Sequence, residues 1–227
     1  MHLRRGTIHI LVAAIGIGTL LEGCSLFDRS PLSLATSAMA RAFAKRRLVE
    51  GRLSGDARAG KYVPPVEGES NRDRSGVDED SLNTAYLNID EAKSEGDPRA
   101  PLMYARLLVA DGKWREALPD LQRAAAKPGA GADAHNDLGV SLLDAGRVDD
   151  ALDQFEETLN IDPRMPAALF NRALCHQVLV LPELAGREFA EIEPLEKDRG
   201  WREEIRRRKE ETRPLKEFNQ EEESLIA

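Results

Sequence analysis

The chain has 227 residues, room for one or two small domains, with 32% charged and only 5% aromatic side chains, a balance rich in Ala, Leu, Glu and Arg that reads as helical. The formal net charge of −8 is uneven: residues 1–61 hold ten Lys/Arg against four Asp/Glu, and residues 62–227 hold 22 against 36. The acidic body excludes nucleic acid as a partner, because that needs a basic face, while the basic beginning beside an apolar run suits a membrane surface.

The first element is an address. Arg4 and Arg5 precede 16 residues, Gly6–Leu21, without Asp, Glu, Lys or Arg. That run is short for a membrane span, which takes about 20 residues, and right for a signal-peptide core. It ends in Leu21-Glu22-Gly23-Cys24. The tetrad resembles the bacterial lipobox, with an aliphatic residue at −3, a small one at −1, and one departure, Glu22 at −2. The resemblance implies a signal peptide over 1–23, Cys24 as the lipidated new N-terminus and a short tether over 24–30. An uncleaved signal anchor is the alternative. Several acyl chains, at about 0.8 kcal/mol per buried CH₂, hold a protein firmly on a bilayer. Ser25, rather than Asp, at the next position implies the periplasmic face of the outer membrane in preference to the inner membrane. Cys24 and Cys175, the only cysteines, stand in unlike contexts and suggest neither a disulfide nor a metal site.

Residues 31–53 predict a basic amphipathic helix, with Leu32, Ala35, Met39, Ala42 and Phe43 at helical spacing and Arg41, Lys45, Arg46 and Arg47 supplying charge. Such a helix lies on anionic lipid or docks on a partner, or it packs on the folded domain through its apolar stripe. Residues 54–80 lose all periodicity, carry Pro64-Pro65 and four glycines, and read as a flexible linker. A flanking helix is expected over 81–97, with Leu82, Ala85 and Ile89 on one side.

The remainder repeats with a period of 34, starting at Pro98, Ala132 and Pro166. Small residues recur at the eighth position (Ala105, Gly139, Ala173) and the twentieth (Ala117, Ala151, Ala185). A large apolar residue recurs at the twenty-fourth (Leu121, Phe155, Phe189). Two antiparallel helices per repeat explain this: the small residues let their backbones approach and the large one fills the gap to the next pair. Gly112 and Gly146 suit the left-handed residue that closes a helix, while the third turn, VLVLPEL, has no Gly. Pro163 stops one helix before the next starts, and Pro119 predicts a kink or a late start.

This register resembles the tetratricopeptide repeat family. The middle repeat carries it best, through Ala132, Ala134, Leu138, Gly139, Gly146, Ala151, Phe155, Ile161, Asp162 and Pro163, with His135 in place of the usual Trp. The resemblance implies an all-α helix-turn-helix solenoid of three repeats (98–131, 132–165, 166–197), a capping helix over 198–213 carrying Trp201 and Ile205, with Glu203–Arg207 and Glu204–Arg208 paired on its outside, and a frayed tail over 214–227. It also implies a concave groove that takes a peptide or a partner helix. Its positions fall on Arg99, Leu102, Met103, Arg106 and Val109, then Asp133, Asn136, Asp137, Val140 and Asp144, then Ala167, Phe170, Asn171, Leu174 and Gln177. This groove has an acidic middle and an apolar third wall, and lacks the Lys/Arg/Asn set that clamps a C-terminal carboxylate in other members of the family. It fits a partner segment with a basic residue beside an aliphatic or aromatic one.

No phosphate loop, nucleophile elbow or metal-ligand cluster occurs in the sequence. His135, His176 and Cys175 fall where the family packs side chains, so no catalysis, cofactor, metal or small-molecule substrate is expected. The reading is a lipid-anchored adaptor of the bacterial envelope, of the kind found in pilus or secretion assembly or beside cell-wall enzymes. The alternatives are a non-catalytic regulatory subunit of an enzyme on another chain, or a signal-anchored spacer of the inner membrane.

Overall fold

A computed structural model describes residues 30–45, 47–55, 62–63 and 75–213; Cys24 and the whole lipobox-like segment, most of the stretch read as a linker, and the tail lie outside these. The described residues form nine helices and no strand: α1 (Pro31–Ala42), α2 (Glu79–Ser94), α3 (Ala100–Ala110), α4 (Trp114–Ala125), α5 (Ala132–Asp144), α6 (Val148–Ile161), α7 (Pro166–Val178), α8 (Pro182–Ile192) and α9 (Arg199–Glu211). None of them is long and apolar enough to cross a membrane.

Consecutive helices pack as hairpins, and α1, α3, α5 and α7 also touch in series, so they form one face of a solenoid. The three repeat pairs are α3/α4, α5/α6 and α7/α8. Their close approach rests on Ala105, Ala117, Ala151, Ala173 and Ala185, all fully buried. A Cβ on Gly139 would lie 2.5 Å from Cε1 of the buried Phe155 ring, so glycine alone fits there. Leu121 and Phe189 fill the corresponding gaps in the pairs on either side. Pro119 sits exposed within α4, which nevertheless starts at Trp114, so the helix does not begin late.

The turns share one hydrogen-bond pattern. Gly112 (φ 73°) and Gly146 (φ 74°) are left-handed, and the next N–H reaches back across the turn, from Lys113 to the Leu108 carbonyl at 2.8 Å and from Arg147 to that of Leu142 at 2.9 Å. The third turn closes identically, Leu181 N–H to the His176 carbonyl at 2.9 Å, with Val180 forced to φ 59° in the glycine seat. Side-chain caps start α1 at Ser30, α2 at Asp78 and α9 at Asp198.

Two differences from the sequence reading matter for the site. First, the helix expected over 31–53 is shorter. The stripe Leu32, Ala35, Ala38, Met39 and Ala42 is buried against α2 and α3 and ends at Ala42. Beyond it Gly51 weakens any helical continuation, and Leu48, Val49 and Leu53 lie on a stretch that is neither helix nor strand. Second, α1 and α2 form a hairpin of their own, although residues 43–77 separate them. The Asp78 N–H donates to the Ala42 carbonyl at 2.9 Å, so this excursion leaves and returns at one point.

Candidate functional site

The face made by α3, α5 and α7 holds a strap, residues 47–55 of the same chain, which is neither helix nor strand and bends at Glu50 and Gly51. Its backbone is gripped by side chains. The Arg52 N–H donates to Asn171 Oδ1 at 2.6 Å, and the Arg52 carbonyl accepts from Asn171 Nδ2 at 2.9 Å and Asn136 Nδ2 at 3.1 Å. The Ser54 N–H donates to Asp137 Oδ1 at 2.7 Å, and its hydroxyl accepts from Asn136 Nδ2 at 3.0 Å. Asn136 Oδ1 in turn accepts from Asn171 Nδ2 at 2.9 Å, so the two amides are locked to each other as well as to the strap. Asn136, Asp137 and Asn171 are each 0% exposed. Buried polar groups are stable only when paired, and the strap supplies the pairs.

Charge organises the rest. Arg106 of α3 donates to Asp137 Oδ2 at 2.7 Å and to Asp133 at 3.3 Å. Burial pushes the Asp137 carboxyl above its ordinary value, and Arg106 and the Ser54 N–H pull against that. At the other end the Arg47 and Arg52 guanidinium carbons lie 4.9 and 4.6 Å from the Trp201 ring centroid, a cation–π arrangement. Arg52 pairs with Glu196, and Arg47 with Glu204 at 2.9 Å. Burial works against the Glu204 charge, but Arg47 and Arg208 hold its carboxyl below the usual range. Glu50 of the strap accepts from Arg208 at 2.5 Å and faces Asp144, whose carboxyl is pushed up to about 6 by burial and by Glu50. A Cβ on Gly51 would meet Val140 Cγ1 at 2.9 Å, so the strap passes flush over α5.

Arg106, Asn136, Asp137, Val140, Asp144 and Asn171 meet the strap or hold the residues that do. Arg99, Leu102, Met103 and Asp133, with Ser33 and Thr36 of α1, border a depression of about 310 Å³ that the strap leaves open. A larger cavity of about 590 Å³ runs along the strap beside Phe43, Leu48, Tyr62, Pro166 and Trp201.

The apolar third wall is corrected. Phe170 and Leu174 are core residues, packed with Phe189, Ile192, Trp201 and Ile205 because α9 folds over them. Phe170 meets the Trp201 ring edge-on at 5.2 Å. Gln177 reaches Arg208 and Glu211 of α9 instead of an open groove. Of the two pairs expected outside α9, Glu204–Arg208 forms at 3.0 Å but is buried, and Glu203–Arg207 is replaced by other partners, Arg207 meeting Glu211 at 2.5 Å. Glu204 is buried between Arg47 and Arg208, and Glu203 pairs with Arg199 at 2.8 Å.

The sequence reading missed the strap residues and their receptors Glu196 and Glu204. One signal was available: Arg47-Leu48 and Arg52-Leu53 are each a basic residue beside an aliphatic one, the chemistry the groove was expected to take. Away from the groove, Cys175 is buried and its thiol is pushed up to about 12 by burial. His176 contacts Glu188 at 2.6 Å, which also meets Arg172 at 2.7 Å, and His135 contacts Gln154 at 3.0 Å. Among the described residues no cluster of His, Cys, Asp and Glu has the makings of a metal site.

The family model described as tetratricopeptide repeat matches residues 102–166, which run from α3 to the start of α7. None of the curated proteins matches the chain.

Proposed function

The chain is a tetratricopeptide-repeat protein, a scaffold for contacts between proteins, and from that premise we propose a membrane-held adaptor whose concave face receives an extended segment of a protein partner. The observation that carries the reading is the set of buried side chains on consecutive inner helices, Asn136, Asp137 and Asn171, aimed at the main chain of a segment that is neither helix nor strand. Main-chain recognition gives affinity, and the flanking acidic and aromatic groups give selectivity.

The anchor is the lipid on Cys24, and the location is the cell envelope of a bacterium, with the periplasmic face of the outer membrane preferred. Tethering to a surface shared with the partner raises the effective concentration of the groove. The adaptor role is in secretion, pilus or cell-wall machinery. Metabolic labelling with a palmitate analogue tests the anchor: label that disappears in Cys24→Ser supports it, and label absent from the wild type removes it. A photo-crosslinking residue at Leu102, in the open part of the groove, tests the surface against the same residue at Glu157 on the exposed outer side of α6. Crosslinking of one envelope protein from Leu102 alone is expected. Equal yield from both positions, or none from Leu102, refutes the groove as the partner site.

A further inference from the structure

Resting on the concave face as the partner site, we infer that residues 47–54 are a built-in competitor for it, and that the external ligand is a basic segment of the same design and path: Arg, three residues, Gly, Arg, an aliphatic residue, then a small one.

The strap behaves as a ligand in three respects. Its backbone is held by groove side chains, through both polar groups of Arg52 and the N–H of Ser54, so any segment that follows this path meets the same partners. Its two arginines use one receptor, the Trp201 ring flanked by Glu196 and Glu204, which fixes their spacing at five residues. The position before the second arginine is restricted to glycine by Val140 Cγ1 and Cγ2, at 2.9 and 3.0 Å from where a Cβ would stand. The required pattern is therefore narrow, and charge complementarity sets its sign. The buried carboxylates Glu196 and Glu204 select cations, and a buried carboxylate without its cation is costly.

The strap is also built to leave. The hydrogen bond from Asp78 N–H to the Ala42 carbonyl ties off the base of the excursion at 2.9 Å, so strap release need not unwind α1 or α2. The helices at that base have a core of their own, made by α1, α2 and α3. Within the central core the strap contributes Val49 as a buried member and Leu53 at its margin. Glu50 facing Asp144 places like charges across the contact, and Arg208 offsets them only from the Glu50 side. A segment attached to the groove's own chain competes at high effective concentration, so an external partner binds with an apparent affinity reduced by the fraction of open groove.

The test uses the full-length chain in detergent micelles and a fluorescent peptide of residues 47–54, RLVEGRLS, followed by anisotropy. The comparison is with the double variant Arg47→Glu and Arg52→Glu, in which the strap is repelled by Glu196 and Glu204 while the receptor wall is untouched. The expected result is at least tenfold tighter binding by the variant than by the wild type, and at least tenfold weaker binding to the variant by a peptide carrying Gly51→Val. Equal binding to both proteins, no binding to either, or indifference to Gly51→Val overturns the proposal. A variant that loses its cooperative helical melt also overturns it, because the strap is then part of the folding core. If any of these results comes with crosslinking from Leu102 intact, the adaptor reading stands and only the competition fails. Loss of that crosslinking too removes both.

Discussion

Replacing Asn171 by Ala removes the side chain that holds both polar groups of Arg52. The Arg52 carbonyl keeps Asn136 Nδ2 at 3.1 Å, but the Arg52 N–H loses its 2.6 Å acceptor and Asn136 Oδ1 loses its 2.9 Å donor. Stranding a buried donor costs about 1–3 kcal/mol. The strap can answer by lifting away and finding water, so the loss falls on the free energy of strap opening and not on that of the whole fold. Taking about 2 kcal/mol, the amides of Arg52 and Ser54 should exchange with solvent about 30-fold faster, since each 1.4 kcal/mol of opening free energy is about a factor of ten. Hydrogen exchange followed by NMR reads this directly, with helical amides of α5 as the internal control. Equal acceleration in the strap and in α5 would show that Asn171 holds the solenoid as a whole. Unchanged exchange at Arg52 and Ser54 would show that side-chain grip on the main chain does not hold the strap, and would refute the argument.

Three further outcomes follow from local geometry. Gly139→Ala should lose about 1–2 kcal/mol in urea unfolding, because overpacking against the buried Phe155 ring, 2.5 Å from the new Cβ, outweighs the roughly 1 kcal/mol gained in helix propensity; a net gain would mean the ring moves aside freely. Asp144→Asn should raise stability by about 1–2 kcal/mol at pH 7.5, after discounting for solvent access. A carboxyl raised to about 6 in the folded protein carries its full penalty above that pH and sheds it as pH falls toward the unfolded value, so the gap in melting temperature between variant and wild type should shrink between pH 6 and pH 4, and a constant gap counts against the cause given. Val180→Gly should raise the melting temperature, worth about 1 kcal/mol, by relieving the φ of 59° that a β-branched residue resists; a lower melting temperature would show that Val180 makes a contact worth more than its strain.

The repeat register was legible because close helix packing leaves a mark in one dimension: small residues at fixed offsets and a large one to fill each gap. Gly139 under Phe155 is that mark at atomic scale. The α1/α2 hairpin left none, since residues 43–77 stand between its helices and break the register. Phe170 and Leu174 read as groove wall because their positions on α7 are right for it, and only the path of α9, a tertiary fact, turns them into core. The strap was the least legible element. A segment that is neither helix nor strand, with its backbone satisfied by Asn and Asp side chains, needs neither the 3.6 nor the 2-residue period, so residues 47–55 read as the end of a helix and the start of a linker.

Yet its chemistry was visible as charge. The excess of cations before residue 62 faces an excess of anions after it, and part of that asymmetry is used inside the fold, Arg47 on Glu204 and Arg52 on Glu196, across separations of 157 and 144 residues. A groove with buried carboxylates demands a cationic occupant before any partner arrives. A chain that carried the acidic receptor alone would leave Glu196 without Arg52 and Glu204 with Arg208 as its remaining close cation, beside a tryptophan, a surface open to any basic peptide. Supplying the occupant in cis satisfies the carboxylates. It also sets a threshold that weak basic ligands fail to cross, so selectivity comes from competition as much as from contact.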